Sequence, residues 1–176
     1  AEGSPKLLVL PEFCNHRSWY NDAGHCFDVS VDLDGDFLTA ISNKAKEHGF
    51  FICANVTLRL DNPVVTGSSL LFGPDGNLVT KSDKQILIGH ENDFLKPATT
   101  NCPIAETEIG RIGLYSCMDG VITETARCLS LRGAQILCNS LNSFAYDEAE
   151  LHVPVRAAEN KVFVVAANKI GPLIPK

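Results

Sequence analysis

Apolar and polar positions along the chain alternate between short buried runs and longer amphipathic stretches. Lys6–Leu10 (KLLVL) is an apolar run stopped by Pro11, which suits a strand covered on both faces. A polar segment rich in His, Asn, Asp and aromatic residues follows, from Phe13 to Asp36, and reads as a long functional loop. Phe37, Leu38, Ile41 and Ala45 recur at helical spacing. They predict a helix over Asp36–His48, ended by Gly49. Phe50–Leu58 (FFICANVTL) is a further strand. Ser68–Phe72 and Asn77–Lys81 flank Gly73-Pro74-Asp75-Gly76, a hairpin signal. Gly113–Cys117 reads as a strand after a turn at residues 109–111. Thr123–Arg132 reads as a helix closed by Gly133. Two more strands, Gln135–Cys138 and Val162–Ala167, bracket a helical stretch from Glu148 to Asn160, which Pro154 must either start or kink. This order mixes βαβ units with antiparallel pairs and predicts a layered α/β fold in one domain over residues 1–176.

Composition narrows the classes. With 45% hydrophobic and 20% charged residues, the chain can bury a core, which excludes disorder and coiled coil. The net charge is −6 and no basic run occurs, so nucleic acid is not an expected partner. No apolar stretch is long enough to span a bilayer, and the N-terminus lacks a signal-peptide pattern; no membrane partner is expected. Seven cysteines are too few for a disulfide scaffold and odd in number. They imply a reducing, cytoplasmic setting, in which the sequon at Asn55 carries no weight. Cys53, Cys128 and Cys138 lie in apolar patterns and read as buried, whereas Cys14 and Cys26 sit in a loop expected to be exposed.

Several clusters invite chemistry. Asp32, Asp34 and Asp36 resemble the start of a calcium loop. The sixth position is Phe37 and the twelfth Asn43, so an acidic helix start is the better reading. Cys14, His16, His25 and Cys26 are zinc-ligand types, but no Cys-x2–4-Cys knuckle is present. Cys117 ends an apolar strand and precedes Asp119-Gly120 and a helix. Such a break can hold a nucleophile beside free backbone N–H groups, or it can simply bury a thiol. Glu12 also ends an apolar strand, where open α/β sheets bind ligands.

Four segments together carry a resemblance. KLLVLPEF, SDKQILIGHENDFLKPA with the hairpin GPDGNLV before it, IGLYSCMDGVITETARCLSLRGAQIL and VPVRAAENKVFVVAANKIG resemble, in order and spacing, segments of the nitrilase, or carbon–nitrogen hydrolase, superfamily. The resemblance implies a four-layer αββα sandwich. It also implies that the family's first strand and helix would precede Ala1 and its closing strands would follow Lys176, so the chain reads as the central part of the domain. The roles it implies are a general base at Glu12, an oxyanion-stabilising Lys84 and a nucleophile at Cys117, whose thiolate the cation would favour. It adds a second acid at Glu91, or alternatively Asp93, and an oxyanion N–H at Met118. Neither cofactor nor metal is required. A homodimer or higher homo-oligomer is implied, with Ala126, Leu129 and Ala157 at the contact.

Departures from the family patterns bear on substrate. True nitrilases show Cys-Trp-Glu, and here Cys117-Met118-Asp119 favours the amidase-like branches. Members acting on carbamoyl amino acids carry an Arg just after Cys-x-Asp. Gly120 and Val121 stand there, leaving Arg17 as a loop substitute, although Gly89-His90 resembles the carbamoyl branch. The expected substrate is thus a small amide or carbamoyl compound. The alternatives are nitrile hydrolysis, an inactive interaction protein of the same fold, or a metal-binding module built on the Cys14–Cys26 loop.

Overall fold

The computed structural model describes residues 5–145 and 147–171; Pro175 and Lys176 lie outside that range. Two four-stranded sheets form the centre. In the first, β1 (Leu7–Val9) runs parallel to β2 (Phe51–Arg59), and β3 (Val65–Phe72) and β4 (Leu78–Asp83) follow as antiparallel neighbours. In the second, β5 (Ile104–Thr107) pairs antiparallel with β6 (Gly110–Ser116), and β7 (Ile136–Leu141) and β8 (Phe163–Asn168) continue in parallel.

The side-chain alternation of β2 explains the layering. Its even positions Ile52, Val56 and Leu58 pack with Leu38 and Ala45 of α2 (Asp36–His48). Its odd positions Phe51 and Cys53 join Val9 and Leu71 against Ile112, Leu114 and Leu137 of the second sheet. A strand buried on both faces reads as a continuous apolar run, as this one does. On the far side, α5 (Thr123–Leu131) and α6 (Val153–Asn160) cover the second sheet. The result is a four-layer αββα sandwich. Pro154 lies at the junction where a π-helical turn at Glu148–His152 passes into α6, so it marks the change of helix type rather than a free helix start.

The structure adds elements inside segments read as loop. Asp22 caps α1 (Ala23–Val29), accepting from the His25 amide at 2.8 Å. Further on lie α3 (Glu91–Phe94), β5 and the single turn α4 (Met118–Val121). Of the residues expected at or near a subunit contact, Ala126 and Leu129 lie in the core beneath α5 and Ala157 is half-buried. The apolar side chains that α5 and α6 leave exposed are Leu131 and Val155. No helix among the described residues is long and apolar enough to cross a membrane.

Strand directions decide where chemistry can occur. The C-terminal ends of β1, β4, β6 and β7 meet at one edge of the sandwich, where the Glu12 amide donates to Leu141 O at 3.1 Å across the two sheets.

Candidate active site

Glu12 follows Pro11 at the end of β1, and Phe13 after it takes a left-handed backbone (φ 47°). The Phe13 amide donates to Asn55 Oδ1 at 2.9 Å, and Asn55 Nδ2 donates to Ser69 Oγ at 2.9 Å. The sequon asparagine is therefore an internal brace of the first sheet. This turn directs the Glu12 carboxylate inward, where it is 1% exposed.

Lys84 follows β4, anchored by its amide on Gly67 O at 2.7 Å. Its ammonium donates to Glu12 Oε1 at 2.8 Å and to both Glu91 oxygens at 2.8 Å, and lies 5.6 Å from the Phe13 ring centroid. Glu91 opens α3 and is buried, held in addition by the Ile88 amide at 3.0 Å. Asp93 is exposed, so the structure selects Glu91 as the acid beside Lys84.

Cys117 sits in a strained turn, φ 45° and ψ −108°, between β6 and α4. Its amide donates to Ser140 O at 2.9 Å and to Asn139 Oδ1 at 3.1 Å, which pins the turn to β7. Met118 then begins α4, where amides have no intrahelical acceptor. Gly120 is obligatory: a Cβ there would meet Tyr115 Cε2 at 2.6 Å. Asp119, 1% exposed, accepts from the amides of Ile86 at 2.9 Å, Gln85 at 3.2 Å and Ser116 at 3.4 Å. It ties the Cys117 turn directly to the residues after Lys84. Sequence reasoning did not find this role, although the Cys-x-Asp pattern carried the residue.

Two carboxylates share one ammonium, which sets the electrostatics. Burial raises Glu12 to about 7, with Lys84 opposing and Glu91 adding to the rise. Lys84 loses to burial but gains more from Glu12 and Glu91, so its pKa moves up. Burial and then Glu12 push the Cys117 thiol up to about 12, and Lys84 only partly offsets them. This corrects the expectation of a ready thiolate. The cation is already neutralised by its carboxylates, and desolvation wins. Asp119 rises to about 6 through burial, against its amide hydrogen bonds.

Glu12, Glu91 and Cys117 line one cavity of about 380 Å³ with Trp19, His90 and Phe144. Trp19 and His90 lie 5.5 Å apart between ring centroids. Arg17 is exposed and is not among the lining residues. The Cys14/His16/His25/Cys26 loop does not close on a site: among the described residues no three His, Cys, Asp or Glu side chains converge for a metal. Cys26 is fully buried and Cys14 half-buried, and burial raises each thiol to about 11, whereas Cys128 is exposed. The expected burial holds for Cys53 and Cys138 and fails for Cys128, and the expected exposure fails for Cys26.

Two face-to-face sheets flanked by helices, with Glu12, Lys84 and Cys117 toward one edge, define a four-layer α/β sandwich class. The comparisons agree: the model of the carbon–nitrogen hydrolase family matches residues 1–173, and the chain belongs to that family. A nitrilase of Pyrococcus abyssi is 28% identical over 167 residues, covering 94% of this chain and 63% of that protein. A chloroplastic omega-amidase of Arabidopsis thaliana is 29% identical over 188 residues, covering 96% of this chain and 49% of that protein. Among solved structures, an amidase from Nesterenkonia sp. superposes with a TM-score of 0.79 at 19% identity, covering 95% of this chain and 64% of that one. The NitFhit protein of C. elegans gives 0.84 at 24% identity, covering 97% and 45%. The chain thus spans less than two thirds of the length of these relatives.

Proposed function

We propose that the protein hydrolyses non-peptide carbon–nitrogen bonds of small amides through a thioester on Cys117. The observation that carries this reading is the buried Lys84 ammonium held at 2.8 Å by Glu12 and Glu91, two carboxylates that line one cavity with a strained cysteine. Isolated buried charges are costly, and such a cluster serves poorly as a stabilising device.

In this reading Glu12 is the general base. Burial and the Glu12 charge hold the thiol well above the base, so a free thiolate does not form ahead of attack. Proton transfer is therefore coupled to formation of the carbon–sulfur bond. The carbonyl oxygen becomes an oxyanion, met by the Met118 amide and by the Lys84 ammonium, which turns one N–H from its carboxylate partners to the new negative charge. Glu12 then returns the proton to the departing amine, leaving a thioester. Water, deprotonated by Glu12, attacks the thioester carbonyl, and the acid leaves as the thiol regains its proton. Glu91 holds the ammonium between the two steps.

The test is incubation of the purified protein with a panel of amides, carbamoyl compounds and nitriles, read by product release and by the mass of the Cys117 peptide. An acyl adduct on Cys117 and turnover lost in Cys117→Ser are expected. Substantial hydrolysis retained by Cys117→Ser would overturn the mechanism.

A further inference from the structure

Cys117 faces two spaces. Beyond the cavity shared with Glu12 lies a second one of about 230 Å³, reached past Ile88, Asn142 and Phe144, which line both. The second space is acidic, lined by Asp147 and Glu148 with His152 beside them. Glu148 is 4% exposed, and its Oε1 is buried without a hydrogen-bond partner among the described residues. Its other oxygen has only the Ser143 hydroxyl, at 3.4 Å. A buried carboxylate oxygen left unpaired is costly unless a donor fills the gap.

The charges nearby do not fill it. Arg156 gives its donors to Gly120 O at 3.0 Å, Val121 O at 2.7 Å and Glu159 at 2.9 Å. Lys84 is held by Glu12 and Glu91, and Lys169 donates to His16 O at 2.8 Å. His152 faces Asp147 at 3.5 Å rather than pairing with Glu148. No uncommitted Lys or Arg among the described residues lines either space, so a carboxylate-bearing substrate finds no partner. Burial also raises the Glu148 carboxyl above its ordinary range, a shift that a bound cation would relieve.

We propose that Glu148, with Asp147 at the rim, binds the cationic end of the substrate, so that the amides this site accepts carry a protonated amine or guanidinium close to the scissile carbonyl. The proposal rests on the hydrolase reading for its chemistry but not for its test. The net charge of −6 adds long-range attraction of the same sign.

Thiol alkylation probes the pocket without requiring turnover. Cys117 is treated with 2-bromoethylammonium, iodoacetamide or iodoacetate; in each case the sulfur displaces halide and forms a thioether. Rates are followed by mass on the Cys117 peptide and divided by those of free cysteine, which removes intrinsic reactivity. The expected order is cation, then neutral reagent, then anion. The cation-to-neutral ratio should fall about tenfold in Glu148→Gln, and in the unaltered protein it should fall as salt is raised. A ratio equal to that of free cysteine, or one unchanged in Glu148→Gln and insensitive to salt, would overturn the assignment. Parallel hydrolysis of an ω-amino amide and its uncharged alkyl counterpart separates the two readings. Loss of all hydrolysis with the alkylation order intact refutes the enzyme reading alone, and equal hydrolysis of both amides refutes the cation site alone.

Discussion

Glu12 should drive stability and activity in opposite directions across one pH window. Its carboxyl moves from an ordinary 4.5 to about 7 in the folded protein, chiefly through burial. The folded state therefore holds this proton more tightly than the unfolded chain does. The stabilisation is fully present below pH 4.5 and is lost as pH rises through about 7. The shift corresponds to about 3 kcal/mol, and burial at 1% exposure leaves little solvent screening to reduce it. Urea unfolding of the protein and of Glu12→Gln, from pH 4.5 to 8.5, should show a stability difference that changes by about this amount, with the Gln variant gaining on the parent as pH rises. Asp119, also raised by burial and coupled to Glu12, is present in both proteins, so the difference between them reports chiefly on Glu12. Activity must run the other way, because only the ionised carboxylate can accept the thiol proton. The acidic limb of kcat/KM should fall near pH 7 and vanish with the activity in Glu12→Gln. A constant stability difference across the window, or an acidic limb near pH 4.5, would refute the assignment of Glu12 as the buried base.

The layered fold was legible because its main elements carry complete local signals. β2 opens on an unbroken apolar run, Phe51–Ala54, α2 has a buried stripe and a left-handed Gly49, and the β3–β4 hairpin has its turn residues. The elements left unread are those whose stability comes from tertiary contact. Cys26 is the sole buried residue of the seven in α1, and α3 and β5 have four residues each. Glu12, Lys84 and Cys117 were singled out through the motifs that carry them, and the structure pairs Lys84 with Glu12 and puts Glu12 and Cys117 on one cavity. Glu91 could not be separated from Asp93 because both are acids on one short turn, and only burial beside Lys84 distinguishes them. The state of the Cys117 thiol was misjudged because a sequence shows the cation but not the two carboxylates that neutralise it. Glu148 gave no local signal, since what marks it is a buried oxygen without a hydrogen-bond partner among the described residues.

Lys84→Met should leave two buried carboxylates without a cation, costing about 3–5 kcal/mol at pH 8 and less at pH 5, where they take up protons; urea midpoints at the two pH values check it. Its hydrolysis should also fall by about 10²–10³-fold, as for a lost oxyanion donor. Asp119→Ala tests whether the nucleophile turn is positioned from outside. The change removes a buried acceptor shared by the amides of Gln85, Ile86 and Ser116, which belong to the Lys84 segment and to the end of β6. Stranding buried amides costs about 1–3 kcal/mol each, and water entering the space would recover part of it, so a loss of about 2–4 kcal/mol is expected. The two segments would then no longer share an anchor, and the Cys117 turn could shift relative to the Lys84 ammonium. kcat should therefore fall by more than tenfold at temperatures where the variant is still folded, while KM for the same amide changes little. Full kcat in folded Asp119→Ala would show that Ser140 and Asn139 alone hold the turn, and that the Asp119 bridge is structural only.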